Sequence, residues 1–197
     1  MKTYLSIDLD YWRNHTSPEA CTRFFKAVWK TGLPVYTSFY HHHLLGHVNE
    51  SGCRRLINVD YHSDLSDLVS GHVLTFEEGT WVNFVDWRHK GEFIWRFPST
   101  QICVNEEDGY CHAHTNPFQH NVSGWGTATK RVGVYGIPWR DITAIGVCLS
   151  PDWISKPSII AEPLSRLRIE PWVKRYDQAV AHNETPYSQR PKLVRIK

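Results

Sequence analysis

The 197-residue chain carries 22 basic and 20 acidic side chains, for a net charge of +2. Near-neutrality excludes a nucleic-acid binder that works through a broad basic surface, and a hydrophobic share of 41% excludes extended disorder. No apolar run reaches the about 20 residues of a membrane helix, and no signal-peptide core follows Met1, so a cytoplasmic protein bound to neither membrane nor nucleic acid is expected.

Five cysteines, with no Cys-x-x-Cys pair, argue against a disulfide framework or a thiolate zinc cage. In chain order, Thr3–Asp8 reads as a buried strand that ends in acidic residues. A helix follows, with Ser17 expected as N-cap and Pro18 in its first turn; Ala20, Phe24, Phe25, Val28 and Trp29 fall on one face, and Gly32 ends it. Residues 35–40 and 55–60 are predicted strands, with a weaker helical or turn segment over 44–52 between them. Later strands are expected over 81–85, 92–97, 100–104 and 144–149, with a functional loop over 105–126. A closing helix over 171–182 completes a single domain, residues 1–182, and 183–197 form a polar, basic tail or an edge segment. The alternation of strands and helices predicts an α/β fold with a mainly parallel sheet.

Three of the predicted strands end in side chains that suit a metal. Asp60-Tyr61-His62-Ser63-Asp64 follows one, and extended-chain alternation would place Asp60, His62 and Asp64 on one side. Asp8-Leu9-Asp10 ends another, and His41-His42-His43 a third. Open parallel sheets carry their sites at this edge. Four carboxylates gathered there would repel one another unless a cation lay among them. Carboxylate and imidazole without sulfur suit Mn²⁺, and four Asp with two His suffice for two ions that share a water of lowered pKa.

Asp60-Tyr-His-Ser-Asp64 resembles the Asp-x-His-x-Asp signature of the arginase, or ureohydrolase, superfamily, and Ser6-Ile-Asp8-Leu-Asp10 resembles its Ser-x-Asp-x-Asp signature. The flanking residues are more similar to a divergent branch, the UPF0489 proteins. That branch includes peptide arginases, which convert arginine side chains of ribosomally made natural-product precursors to ornithine. The resemblance implies a three-layer α/β/α, arginase/deacetylase-like fold with trimmed loops and a rearranged strand order, since the Ser-x-Asp-x-Asp strand here comes first. It implies two Mn²⁺ per chain, with Asp8, Asp10, Asp60, His62 and Asp64 as ligands. The remaining ligand is a His of the 41–43 run: His41 by alignment of Leu44-Leu45, with His42 close behind.

On this reading a hydroxide attacks the guanidinium carbon of an arginine in a precursor peptide, giving urea and ornithine. Asp60 and His62 are the catalytic residues at the metals, and His112 or His114 on the long loop would move the proton. A carboxylate must hold the planar guanidinium: Glu77 or Glu78 is one candidate, with Trp81 beside them expected to bind substrate as well, and Asp152 is another. The same metals would also serve a ureohydrolase or deacetylase acting on a small molecule. From a different class, a non-catalytic module could bind peptide through the nine tryptophans.

Overall fold

The computed structural model describes residues 1–15, 17–65, 76, 78–99, 124–150, 153–154, 157–166 and 194–196. Its frame is one sheet of seven strands: β1 (Thr3–Asp8), β2 (Val35–Ser38), β3 (Arg55–Val59), β4 (Glu92–Phe97), β5 (Thr127–Val132), β6 (Ile142–Cys148) and β7 (Val194–Ile196). The strands run in the order β5-β4-β3-β1-β6-β2-β7, the first six parallel and β7 antiparallel on the edge of β2. The expected α/β fold with a mainly parallel sheet is therefore present.

Side chains alternate across the sheet as its pleat requires. From β1, Leu5 and Ile7 enter one apolar cluster while Tyr4 enters the other. Ile57 and Val59 of β3, and Ile94 of β4, join the first cluster, while Leu56, Phe93, Trp95 and Phe97 join the second. Helix α1 (Glu19–Lys30) covers the first face with Phe24, Phe25 and Val28, and α3 (Ala161–Arg166) lies against it. On the second face lie α2 (Leu45–Glu50), which contributes Val48, and the buried rings of Trp81 and Trp87.

Several boundaries differ from expectation. Helix α1 starts at Glu19 with Pro18 as the residue before it, and Ser17 does not cap the backbone: its hydroxyl bonds the Glu19 carboxylate instead and lowers that group's pKa. The expected strand over 81–85 is a 3-10 turn, Trp81–Phe84. Its residues favour strands in composition, yet Trp81, Val82 and Asn83 are all buried in succession, so the period of two is missing. Strand β5 was not anticipated; its sequence is polar and half-exposed, as suits its place beyond β4. The predicted strand over 100–104 and helix over 171–182 lie outside the described residues.

Close approach at the sheet centre imposes one strict requirement. A Cβ on Gly146 would collide with the Tyr4 hydroxyl and press within 3.0 Å of both Leu44 methyls. We expect Gly146→Ala to cost about 1–3 kcal/mol by overpacking, read as a lowered urea midpoint with an unchanged slope.

Candidate metal centre

Strands β1 and β3 are neighbours, with Ser6 opposite Asn58 and Ile7 opposite Val59. The chain leaves β1 toward β2 on one side and leaves β3 toward β4 on the other. Their carboxyl ends thus flank a switch point, where diverging connections leave room for a ligand. This pairing brings the residues after β1 beside those after β3, although the two motifs lie some fifty positions apart in the chain.

Turns, rather than extended alternation, make the side chains converge. Asp8 Oδ1 accepts from the Asp10 N–H at 2.9 Å, and Asp60 Oδ1 accepts from the His62 N–H at 2.9 Å. These two Asx turns close each motif on itself. Asp64 sits at φ 55°, in the left-handed region that Asp tolerates better than most residues, and this turns its carboxylate back inward. The expected strand over 55–60 ends at Val59, and the extended alternation assumed for Asp60, His62 and Asp64 is replaced by these turns.

Two ligand groups result: Asp8, His41 and Asp60 in one, and Asp10, Asp60 and His62 in the other, each with its donor atoms within 4.8 Å of one another. Asp60 belongs to both. His41 Nδ1 lies 3.3 Å from Asp8 Oδ2, 3.0 Å from Asp60 Oδ2 and 2.8 Å from Asp64 Oδ2, which adds Asp64 to the first group. His62 Nδ1 lies 3.1 Å from Asp10 Oδ2. All four aspartates and His41 are buried, while the His62 side chain keeps 27% of its surface exposed. The opening of the centre is therefore on the His62 side.

Each group contains a buried polar atom that makes no proper hydrogen bond: Nδ1 of His41 in the first and Oδ2 of Asp10 in the second. Three carboxylate oxygens crowd the His41 nitrogen, yet one N–H could serve only one of them in line. Several acceptor oxygens crowded about one ring nitrogen, beyond what a single N–H can satisfy, are the arrangement of ligands about a cation. The residues present fit a metal ion, and the donors are oxygen and imidazole nitrogen, the set that suits Mn²⁺, Mg²⁺ or Zn²⁺.

The electrostatics agree. Burial, and then the neighbouring Asp64 and Asp8 carboxylates, push Asp60 up to about 7. Asp8 is raised by burial and by Asp10, and Asp10 by burial and by Asp60. Burial alone would lower both imidazoles. At His41 the Asp64 charge and the contacts with Asp60 and Asp8 outweigh it and raise the pKa well above the usual value. At His62 Asp10 and the other carboxylates raise the pKa to about 9. The centre stores negative charge and holds protons in place of a stronger cation.

A second circle of side chains fixes these ligands. Ser6 Oγ meets His41 Nε2 at 2.6 Å, Asn58 Nδ2 donates to Asp60 Oδ2 at 3.0 Å, and Trp81 Nε1 donates to Asp64 Oδ2 at 2.6 Å. Ser150 Oγ donates to Asp8 Oδ2 at 2.5 Å from a residue at φ 40°. Sequence reasoning assigned Ser6 and Asn58 no role, although each stands two residues before an aspartate, a spacing that could have marked them. Nothing near Ser150 announces its role. Because Ser150 holds the oxygen that faces His41, Ser150→Ala should weaken the binding of a divalent metal ion about tenfold or more, measured by titration calorimetry, with little change in the metal-free fold.

Trp81 and His42 need correction. Trp81 is fully buried, tilted against His41 at 4.9 Å between centroids, and bonded to Asp64, so it orients that carboxylate and is closed to substrate. His42 is in neither ligand group; its ring packs against His43 and Phe76. Glu78 is half-buried, and its charge joins burial and Asp8 in raising the Cys148 thiol's pKa. Glu77, His112, His114 and Asp152 lie outside the described residues. Cys21, Cys53 and Cys148 are buried free thiols. No helix among the described residues is long and apolar enough to cross a membrane.

No family model matches the chain, and no curated protein or solved structure matches it. Fold and site together define a parallel-sheet α/β protein with a buried aspartate–histidine centre able to hold a metal ion.

Proposed function

We propose that the chain is a binuclear manganese hydrolase of the arginase type, which converts arginine side chains of a precursor peptide to ornithine and urea. One observation carries this reading: two ligand groups, each with its own histidine, meet at the shared carboxylate of Asp60. Four ionised aspartates also match the charge of two divalent cations, so the loaded centre is neutral where the empty one is strained by repulsion. When bound, two such ions lower the pKa of water enough to supply a nucleophile near neutral pH.

The chain's own residues set the rest. In this proposal Asp8, Asp64 and His41 would hold one ion at the buried end, Asp10 and His62 the other beside the opening, and Asp60 would serve both; the contacts among these side chains support the division. Trp81 and Ser150 lock the inner carboxylates, so the reacting carbon must approach from the His62 side. Water adds to the guanidinium carbon, the bond from that carbon to the side-chain nitrogen breaks, and the nitrogen leaves as the ornithine ammonium. In this proposal His112 or His114 delivers the proton, and Glu77, Glu78 or Asp152 holds the guanidinium.

The test is mass spectrometry of an arginine-containing peptide incubated with the protein and Mn²⁺. Conversion to ornithine with equimolar urea supports the proposal. An unchanged peptide alongside turnover of free arginine or agmatine replaces it with a small-molecule ureohydrolase, and release of acetate from an acetylated amine replaces it with a deacetylase.

A further inference from the structure

The opening of the metal centre holds a cation that the metal chemistry does not use. Arg13 follows the 3-10 turn that carries Asp10, and its backbone N–H donates to the Asp10 carbonyl at 2.8 Å. Its guanidinium carbon lies over the Tyr61 ring, 4.5 Å from the centroid, and 5.6 Å from the Trp153 ring. The His62 ring is 5.2 Å from Tyr61 and 5.1 Å from Trp153, each edge-on. Arg13, Tyr61, His62 and Trp153 therefore close a ring of side chains around the exposed edge of the outer ligand group.

Two properties of this ring point to its ligand. First, stacking on two aromatic faces holds the guanidinium in place while leaving its in-plane N–H donors edge-on for another group. Among the described residues no carboxylate lies within salt-bridge distance of it. Second, the aromatic pair that would otherwise stack a substrate guanidinium already carries the chain's own, so a second cation is repelled at that position. An anion is favoured there, and a planar one with two acceptors matches the fork best.

We infer that Arg13, held by Tyr61 and Trp153, is a specificity-determining residue that binds a carboxylate of the substrate at the rim of the metal centre. The inference rests on the hydrolase reading for the identity of the reacting group, and adds that the arginine taken is one accompanied by a carboxylate. That carboxylate is either an acidic side chain next to the arginine in a peptide or the α-carboxylate of the arginine itself.

The probes are the capped tripeptides Asp-Arg-Asp and Asn-Arg-Asn, together with free arginine and agmatine. Their binding to the metal-free full chain is measured by calorimetry, and their turnover with Mn²⁺ by urea release. The wild-type protein should bind Asp-Arg-Asp about tenfold more tightly than Asn-Arg-Asn, the scale of one charge-assisted pair at a half-exposed position. Arg13→Gln should abolish that preference and leave Asn-Arg-Asn binding unchanged, and in turnover the loss should fall on KM with kcat kept. A preference confined to free arginine over agmatine, lost in Arg13→Gln, assigns the contact to the α-carboxylate and also supports the inference. Equal affinity for charged and neutral members of both pairs overturns it, and that comparison needs only the wild-type chain. Equal loss of both tripeptides in Arg13→Gln, with Arg13→Lys no better, also overturns it. Carboxylate preference without urea release would sink the hydrolase reading and leave Arg13 assigned; urea release without preference would do the reverse.

Discussion

For the binuclear hydrolase proposed above, replacing Asp60 with alanine is expected to empty both metal positions at once and to lower turnover by at least about a thousandfold. Among the described residues Asp60 alone belongs to both groups, so its loss differs in kind from the loss of any other member. Asp10→Ala removes a donor from the outer group alone and should leave about one equivalent of tightly held Mn²⁺. Asp64→Ala should instead weaken the inner position, where that carboxylate lies 2.8 Å from His41 Nδ1. Plasma emission analysis after gel filtration reads the stoichiometries. Retention of two equivalents by Asp60→Ala would show that the centre is not organised around a shared carboxylate. The metal-free variant carries an opposite signature. Removing one of several crowded buried carboxylates relieves repulsion, so Asp60→Asn without metal should melt no lower than the wild type, and at pH 8 higher.

The residues of the candidate centre stood out in the sequence because each motif interrupts an apolar strand with polar groups that a sheet edge would not otherwise tolerate. Asp8, Asp10, Asp60, His62, Asp64 and His41 all converge, and the parallel core strands follow from their β-branched and aromatic runs. What the sequence did not show was the mechanism of convergence. Alternation suggested that Asp60, His62 and Asp64 share a strand face. Asx turns and a left-handed Asp64 do the work instead, and turn chemistry of that kind is decided by local hydrogen bonds rather than by hydrophobic period. Trp81 misled for a related reason: a large aromatic beside acidic residues suggests a substrate platform, while burial and its Nε1–Asp64 bond make it a brace. Arg13 was invisible because its partners, Tyr61 and Trp153, come from two distant turns.

Metal-free and Mn²⁺-loaded protein should respond to pH in opposite directions. In the metal-free chain Asp60 is pushed up to about 7 and His62 to about 9, with Asp8, Asp10 and His41 raised as well. Each of these groups has a folded pKa above its unfolded one, so the native state holds protons that the unfolded chain has already released. For Asp60 that window runs from the ordinary carboxylate value of 3.8 to about 7, and for His62 from 6.5 to about 9. Stability is thus fullest at the acid side of each window and declines as pH rises through it. Between pH 5 and pH 8 the metal-free protein should lose on the order of 3 kcal/mol, or about 10 °C in Tm. Metal binding requires the same groups to give up their protons, so it tightens as pH rises and its contribution to stability grows. Thermal melts of chelator-treated and Mn²⁺-reconstituted protein at pH 5, 6.5 and 8 should therefore diverge, the first falling and the second rising. Parallel curves would mean that the crowded carboxylates and imidazoles do not exchange protons for a cation. The divergence requires no knowledge of the substrate, so it tests the centre independently of the reaction proposed for it.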